Sequence, residues 1–173
     1  MKELQRRLGI TTILVTHNQA DTFAVGDRIM VLKDGMIQQI GSPEDLYNSP
    51  ENVFIANFIG DPPMNIHKLP IDHPVVKRLE LSIDENYKEI FVGIRPDEAI
   101  AIESSEEGHL AGRISMVEYV GSRKYVKIDL DDGISLRILA GSNIDQGQRT
   151  VIRVKRLHIF THEGKRIKTV TLA

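Results

Sequence analysis

The sequence of 173 residues contains no cysteine and no tryptophan. The absence of cysteine excludes disulfide bonds, thiolate metal ligands and a cysteine nucleophile. Aromatic residues make up 5% of the chain, so few side chains are available to stack on nucleic-acid bases. The net charge of −2 gives no general attraction to nucleic acids or anionic membranes, because those surfaces select positively charged proteins. The composition is otherwise that of a folded chain and predicts no nucleic-acid partner.

Long apolar runs and the common phosphate-binding loops are also missing. The first ten residues, MKELQRRLGI, are charged, and no run approaches the roughly eighteen apolar residues of a membrane span. Neither G-x-x-x-x-G-K-[ST] nor G-x-G-x-x-G occurs, so the chain has no recognisable glycine-rich loop to cradle phosphates. We therefore expect a cytoplasmic chain without a nucleotide-binding loop of its own.

The first 60 residues have the pattern of an α/β unit. The β-branched run of residues 11–16 is typical of a strand buried on both faces of a mainly parallel sheet. Asp34-Gly35 lies between two short apolar runs and predicts a β-hairpin. Ser42 as N-cap with Pro43 as first residue predicts a helix start. Further helices are expected over residues 1–8, 19–25 and 51–60, with Val53, Phe54, Phe58 and Ile59 on one face of the last.

The glycine and prolines of residues 60–63 separate this unit from a region of different period. From there the apolar residues alternate in many short runs divided by turn residues, which is typical of a small β-barrel. We predict two domains: residues 1–65, an α/β remnant, and residues 66–173, an all-β barrel of the OB type.

Three groups of residues in the barrel region suggest chemistry without establishing it. His158 and His162 have the spacing of a helical metal site, but in a strand they would lie roughly 13 Å apart, so we predict no metal site. A basic cluster is interpreted as a charged strand edge rather than an oligonucleotide site. The acidic residues show no pairing that indicates acid/base catalysis. The basic cluster is Arg149, Arg153, Lys155 and Arg156, and the acidic residues are Glu103, Glu106 and Glu107.

His17 is the candidate catalytic residue. It follows the predicted core strand at its carboxyl end, where open α/β sheets place ligands and catalytic groups. An imidazole there can donate a hydrogen bond to a phosphate oxygen or position a water molecule. Position alone leaves open a structural role, in which His17 only satisfies local backbone groups.

The segments LGITTILVTHNQ, GDRIMVLKDG and QIGSPEDLYNSPENVFIANFIGDPPMN resemble the C-terminal part of the ATPase subunit of sugar-importing ABC transporters of the maltose type. GIRPDEA, VEYVGSRKYV and LHIFTHEGKRI are similar to that family's regulatory barrel, called TOBE or OB-type. The resemblance covers essentially the whole chain. It implies a fold made of part of an ABC nucleotide-binding domain followed by a TOBE barrel.

By this resemblance His17 is the switch histidine, which contacts the γ-phosphate of ATP and the attacking water in the intact dimer. Asn18, Asp21 and Gly26 stand where the family usually has Asp, Glu and Ala. The resemblance further implies ATP and Mg²⁺ as ligands of the full-length parent. Its partners would be a second ATPase subunit paired through the barrels, membrane subunits at the inner face of the cell membrane, and an inhibitory regulatory protein.

The family's Walker A loop, signature helix and Walker B carboxylates have no counterpart in this sequence. We therefore expect this chain alone to hold no cofactor and to hydrolyse no ATP, and Met1 to be an internal methionine or the start of a truncated protein. Because the apolar run of residues 11–16 would lack its neighbouring strands, we also expect the first part to self-associate, to swap strands or to be partly disordered. The alternative interpretation is a stand-alone interaction or ligand-sensing module built on the barrel. The sequence leaves the solute open.

Overall fold

The structure is a computed structural model and describes residues 2–102, 107–140 and 144–172. Short helices and one β-hairpin form the first part of the chain, and a second part consists almost entirely of strands. The elements of the first part are helices α1 (Lys2–Leu8) and α2 (Gln19–Val25), strands β1 (Ile29–Lys33) and β2 (Met36–Gly41), and helices α3 (Pro43–Asn48) and α4 (Val53–Phe58).

Local signals in the first part are confirmed. The hairpin turn has Asp34 at φ 51° and Gly35 at φ 75°, the left-handed pair that a two-residue turn of type I′ requires. Ser42 caps α3 in a full capping box: its hydroxyl accepts from the Asp45 amide at 3.1 Å, and Asp45 Oδ2 accepts from the Ser42 amide at 3.0 Å. These elements therefore form from sequence-local interactions.

The strand predicted over residues 11–16 is wrong. The segment is irregular, and the side chains of Ile13 and Val15 are 88% and 92% exposed. A strand of continuous apolar residues is stable only when neighbouring strands complete its hydrogen bonds and cover both faces. Among the described residues none pairs with this segment, so the apolar run alone does not make a strand.

Helix α4 was predicted correctly, but its buried face was not. Phe58 is 42% exposed, whereas Ile55 and Ala56 are fully buried. Ile55 and Ile59 pack towards the hairpin and α3, while Ala56 packs against Met64 and Phe160 of the second part. The helix has only two turns and lies between two apolar clusters, so a single-face pattern does not describe it.

The second part contains a four-stranded antiparallel sheet and a closed five-stranded barrel, which confirms the OB-like prediction. The elements are β3 (Asn65–Pro70), helix α5 (Pro74–Arg78), β4 (Glu89–Ile94), β5 (Ala99–Ile102), β6 (Leu110–Val120), β7 (Arg123–Leu130), β8 (Ser135–Leu139), β9 (Arg149–Val154), β10 (Arg156–Thr161) and β11 (Arg166–Thr171). The sheet order is β11-β10-β4-β3 and the barrel order is β5-β8-β7-β6-β9.

Sheet and barrel share one apolar core. Val92 and Ile94 of the sheet lie in the same buried cluster as Ile128, Ile138 and Ile152 of the barrel. Helix α5, which the sequence analysis missed, adds Val75 and Val76 to this core. Its start at Pro74, capped by His73, is a local signal that the surrounding strand pattern obscured.

The first part is joined to the sheet by backbone contacts. Asn52 forms an isolated antiparallel bridge with Lys165, and the Val53 amide donates to the Gly164 carbonyl at 2.8 Å. Strand β3 begins at Asn65, beside the expected boundary, and the division into two domains at residue 65 stays a prediction. None of the helices in the described ranges is long and apolar enough to cross a bilayer.

Candidate functional site

The loop that contains His17 is held directly after the histidine. His17 itself is exposed. Asn18 has extended backbone angles and caps α2, with its side-chain oxygen accepting from the amides of Ala20 at 2.9 Å and Asp21 at 3.3 Å. The Asn18 amide donates in turn to the Thr16 hydroxyl at 3.0 Å. The imidazole therefore projects from a loop whose path is set by the helix cap beside it.

Two of the three departures from the family pattern have a local structural account. Asparagine and aspartate both place an oxygen where it caps the helix, so Asn18 caps α2 as an aspartate could. Gly26 ends α2, and a Cβ atom added there would lie 2.8 Å from the Thr22 carbonyl oxygen and 3.3 Å from Ile29 Cγ1. Alanine would fit only if this backbone moved. Nothing in the structure explains Asp21.

Helix α2 is tied to the end of α4 through Gln19, two residues after the histidine. Gln19 Nε2 donates to the Phe58 carbonyl at 2.5 Å, and its Oε1 accepts from the Gly60 amide at 3.3 Å. The side-chain amide thus satisfies both a carbonyl and an amide of residues 58–60, which we call the helix-end segment. No local pattern in the sequence marks Gln19 for this role.

Arg95 occupies the other side of the same segment and is fully buried. Its Nη1 donates to the carbonyls of Ile59 and Ala56, the latter at 3.3 Å, and its Nη2 and Nε donate to the Tyr47 carbonyl at 2.9 and 3.2 Å. The guanidinium carbon lies 4.0 Å from the centre of the Tyr47 ring, a cation–π contact. A residue in the connection between sheet strand β4 and barrel strand β5 therefore closes the carboxyl ends of α3 and α4.

The hydrogen bonds of Arg95 explain how a charged side chain is buried there. Burial lowers its pKa, and the nearby Tyr47 and Asp97 oppose that effect. A guanidinium keeps its proton in proteins, so the charge depends on oriented carbonyl dipoles for solvation. Carbonyls at a helix end are suitable acceptors because they lack intrahelical partners.

Tyr47 joins the same junction through its hydroxyl, which donates to Asp97 Oδ1 at 2.8 Å. Burial, and then the hydrogen bond and charge of Asp97, raise the pKa of the Tyr47 phenol above its usual value. The phenol therefore stays a neutral donor. Asp97 follows Arg95 in the GIRPDEA segment, so one short stretch after β4 binds α3 by two different contacts.

The basic cluster proposed from the sequence is divided by the fold, and much of it is paired. Arg149 forms an ion pair with Asp131 at 2.5 Å, and Arg156 forms one with Glu98 at 2.5 Å. Arg156 also donates to Asn48 Oδ1 at 2.7 Å.

The other two members of the basic cluster differ from each other. Arg153 donates to the Glu107 carbonyl, and Lys155 is exposed. This pairing agrees with the interpretation as a charged surface of the strands.

The two histidines considered for a metal site are not equivalent. His158 is fully buried in β10, with Nδ1 3.0 Å from the Thr169 hydroxyl, whereas His162 is exposed in the turn that follows. Across residues 2–102, 107–140 and 144–172, no group of three or more histidine, aspartate or glutamate side chains could hold a metal ion. Of the acidic residues, Glu107 is exposed; Glu103 and Glu106 lie outside the described residues.

Comparison with known proteins matches both parts of the chain. Residues 92–160 match the model of the TOBE domain. The oligosaccharides import ATP-binding protein MsmX of Bacillus subtilis is 36% identical over 93% of this chain and 50% of its own length. The Fe(3+) ions import ATP-binding protein FbpC of Fusobacterium nucleatum is 34% identical over 96% and 48%. The trehalose/maltose import ATP-binding protein MalK of Thermococcus litoralis is 33% identical over 92% and 49%.

These matches cover nearly the whole chain, although the chain spans about half the length of the curated relatives it matches. The shared region is the C-terminal part of the relatives. The region of similarity is continuous. It therefore includes both the loop that contains His17 and the contacts between Arg95 and the ends of α3 and α4.

Proposed function

The chain belongs to the family of import ATP-binding subunits of ABC transporters, and we propose that it acts as the C-terminal half of such a subunit. In this role the first part contributes the switch histidine to an ATPase site, and the TOBE barrel regulates and pairs two subunits. The observation that supports the proposal is similarity over 92–96% of the chain to import ATP-binding proteins.

His17 is the residue we propose for the chemistry. Its exposed imidazole can donate a hydrogen bond to the γ-phosphate of ATP or orient the attacking water. Phosphoryl transfer asks a protein chiefly for positioning and charge stabilisation, and the Asn18 cap and the Gln19 contacts supply positioning here. We propose that the intact subunit binds ATP with Mg²⁺. Among the described residues, no group of three or more histidine, aspartate or glutamate side chains could hold a metal ion.

The proposed partners follow from the family. We propose membrane subunits of an importer as one partner and a second ATP-binding subunit as another, with a cytoplasmic, membrane-peripheral location. An inhibitory protein that docks on the barrel is a further proposed partner. The relatives import oligosaccharides, trehalose or maltose, and iron; we propose a sugar or related solute.

The test is the ATPase activity of a rebuilt subunit, in which the N-terminal half of the Bacillus subtilis relative precedes this chain. His17→Ala should lower kcat by roughly a hundredfold or more, the usual loss when a group that stabilises the transition state is removed. His162→Ala is the matched control, because that histidine is also exposed but lies in a barrel turn. Equal activity of the two variants would contradict the role of His17.

A further inference from the structure

The helix-end segment, residues 58–60, is held from two directions by side chains far apart in sequence. Gln19 binds Phe58 and Gly60 from the side of the histidine loop, and Arg95 binds Ile59 from the side of the barrel. Phe58, Ile59 and Gly60 are consecutive, so the two side chains share one short piece of backbone. We propose that Gln19 and Arg95 are positioning residues through which the barrel sets the position of the histidine loop.

The barrel end of this connection is rigidly anchored. Arg95 directly follows the sheet strand β4, and the carbonyl of Pro96 accepts from the amide of Leu139 in β8 at 2.8 Å. The Glu98 amide donates to the Arg95 carbonyl at 3.0 Å and closes a tight turn. The backbone of Arg95 is therefore bound to both the sheet and the barrel, and a displacement of either moves its guanidinium.

The contact between Arg95 and the segment leaves little free space. Gly60 has φ 111°, and a Cβ atom added there would lie 3.0 Å from Arg95 Nη1 and 3.2 Å from Tyr47 Cε2. A residue with a side chain would be strained in this conformation and would displace the guanidinium. The close approach means that a shift of Arg95 is passed to the segment and not absorbed by a gap.

The loop end of the connection reaches the histidine in two steps. Gln19 is the first residue of α2, and its neighbour Asn18 caps that helix. When the helix-end segment moves, the two hydrogen bonds of Gln19 either carry the start of α2 with it or break. The first event displaces the cap beside His17, and the second frees the start of α2 from the segment. The inference rests on the proposed function in one respect only: positioning this loop matters for turnover if His17 acts on ATP.

The connection from Arg95 through the helix-end segment to the histidine loop can be tested on this chain without ATP. The measurements are backbone amide chemical shifts and hydrogen-exchange rates. In Arg95→Lys, which keeps the charge but loses the fork of donors, the Gly60 amide should exchange roughly tenfold faster, about 1.4 kcal/mol. The amides of Ala20 and Asp21 should shift as well. Arg156→Lys is the matched control, because Arg156 binds Glu98 and Asn48 in the same junction but not the segment.

Unchanged Gly60, Ala20 and Asp21 signals in Arg95→Lys would overturn the inference. If that variant does not fold, Gln19→Ala removes the contacts of the exposed Gln19 side chain with the helix-end segment instead. It should release the Gly60 amide and shift the Arg95 Nε–H signal, and an unshifted Nε–H signal would overturn the inference equally.

Turnover supplies the functional measurement. In the rebuilt subunit Gln19→Ala should lower kcat by roughly tenfold to a hundredfold with KM for ATP unchanged, since misplaced catalytic groups slow chemistry. A rise in KM for ATP of the same size, with kcat unchanged, would contradict a positioning role. A rebuilt subunit without ATPase activity even before substitution would refute the proposed function, and the amide measurements would still decide the connection between barrel and loop.

Discussion

Acid should unfold this chain in part through one buried histidine. His158 is fully buried, with Nδ1 against the Thr169 hydroxyl and with Nε2 lacking a hydrogen-bond partner among the described residues. Burial, and then the positive charges of Arg95, Arg156 and Arg166, lower its pKa to about 4. The folded protein therefore holds this imidazole neutral at a pH where an exposed histidine is charged.

The direction of the effect follows from proton binding. Below the ordinary pKa of 6.5, the unfolded chain binds a proton at His158 and the folded chain does not. The free energy of unfolding therefore falls as the pH drops from about 6.5 to about 4 and levels off below that. At 1.36 kcal/mol for each unit of pKa difference, the full loss is about 3 kcal/mol.

Urea unfolding at pH 7.5, 6.0 and 5.0 measures this loss. His158→Gln removes the titrating group, so the free energy of unfolding of this variant should fall less steeply, by about 1.2 kcal/mol less per pH unit between pH 6 and 5. The comparison of slopes is independent of what the substitution itself costs. His162→Gln, at an exposed position, should keep the slope of the unsubstituted chain. Parallel profiles for the chain and His158→Gln would refute the reasoning.

Three further predictions concern stability and association. Asn18→Ala should remove about 1 kcal/mol from α2, seen as faster amide exchange in its first turn, whereas Asn18→Asp should not. Gly112→Ala should lower the free energy of unfolding by about 1–3 kcal/mol, because the added Cβ would overlap the backbone of β7. The Cβ of Gly133→Ala meets open space, so this variant should lose less free energy of unfolding, through the φ of 86° alone. Replacing exposed Ile13 and Val15 by lysine should reduce the self-association of the chain in light scattering, and unchanged scattering would show that this apolar segment is not the contact.

The elements predicted correctly are those stabilised by neighbours in sequence. The capping box of Ser42 and the Asp34-Gly35 turn depend on residues within three positions, so their pattern is visible in the sequence. The barrel was predicted for a related reason, because alternation within each strand records one buried and one exposed face.

What the sequence did not reveal depends on distant partners. Residues 11–16 have the composition of a core strand, but a strand also needs neighbours, and the described residues provide none. Arg95 is a charged residue, which usually indicates an exposed position; its burial depends on carbonyls that lie 36–48 residues away in the sequence. The proline after it and the strand before it were the only local signs of a fixed position.

The role of His17 could be stated only through the resemblance. Its position after an apolar run favoured a structural role, and the exposed imidazole has no hydrogen bond in the described structure that would decide between the two roles. The family relationship now has independent support from relatives that match nearly the whole chain. The catalytic role itself stays a prediction.

The most direct test of the central claim is a single-turnover measurement on the rebuilt subunit, which separates ATP binding from cleavage of the γ-phosphate. In His17→Gln, ATP should still bind with an unchanged Kd, and the rate of cleavage should fall by roughly a hundredfold. Cleavage at the unsubstituted rate would contradict the account, and so would ATP hydrolysis by this chain without the added half.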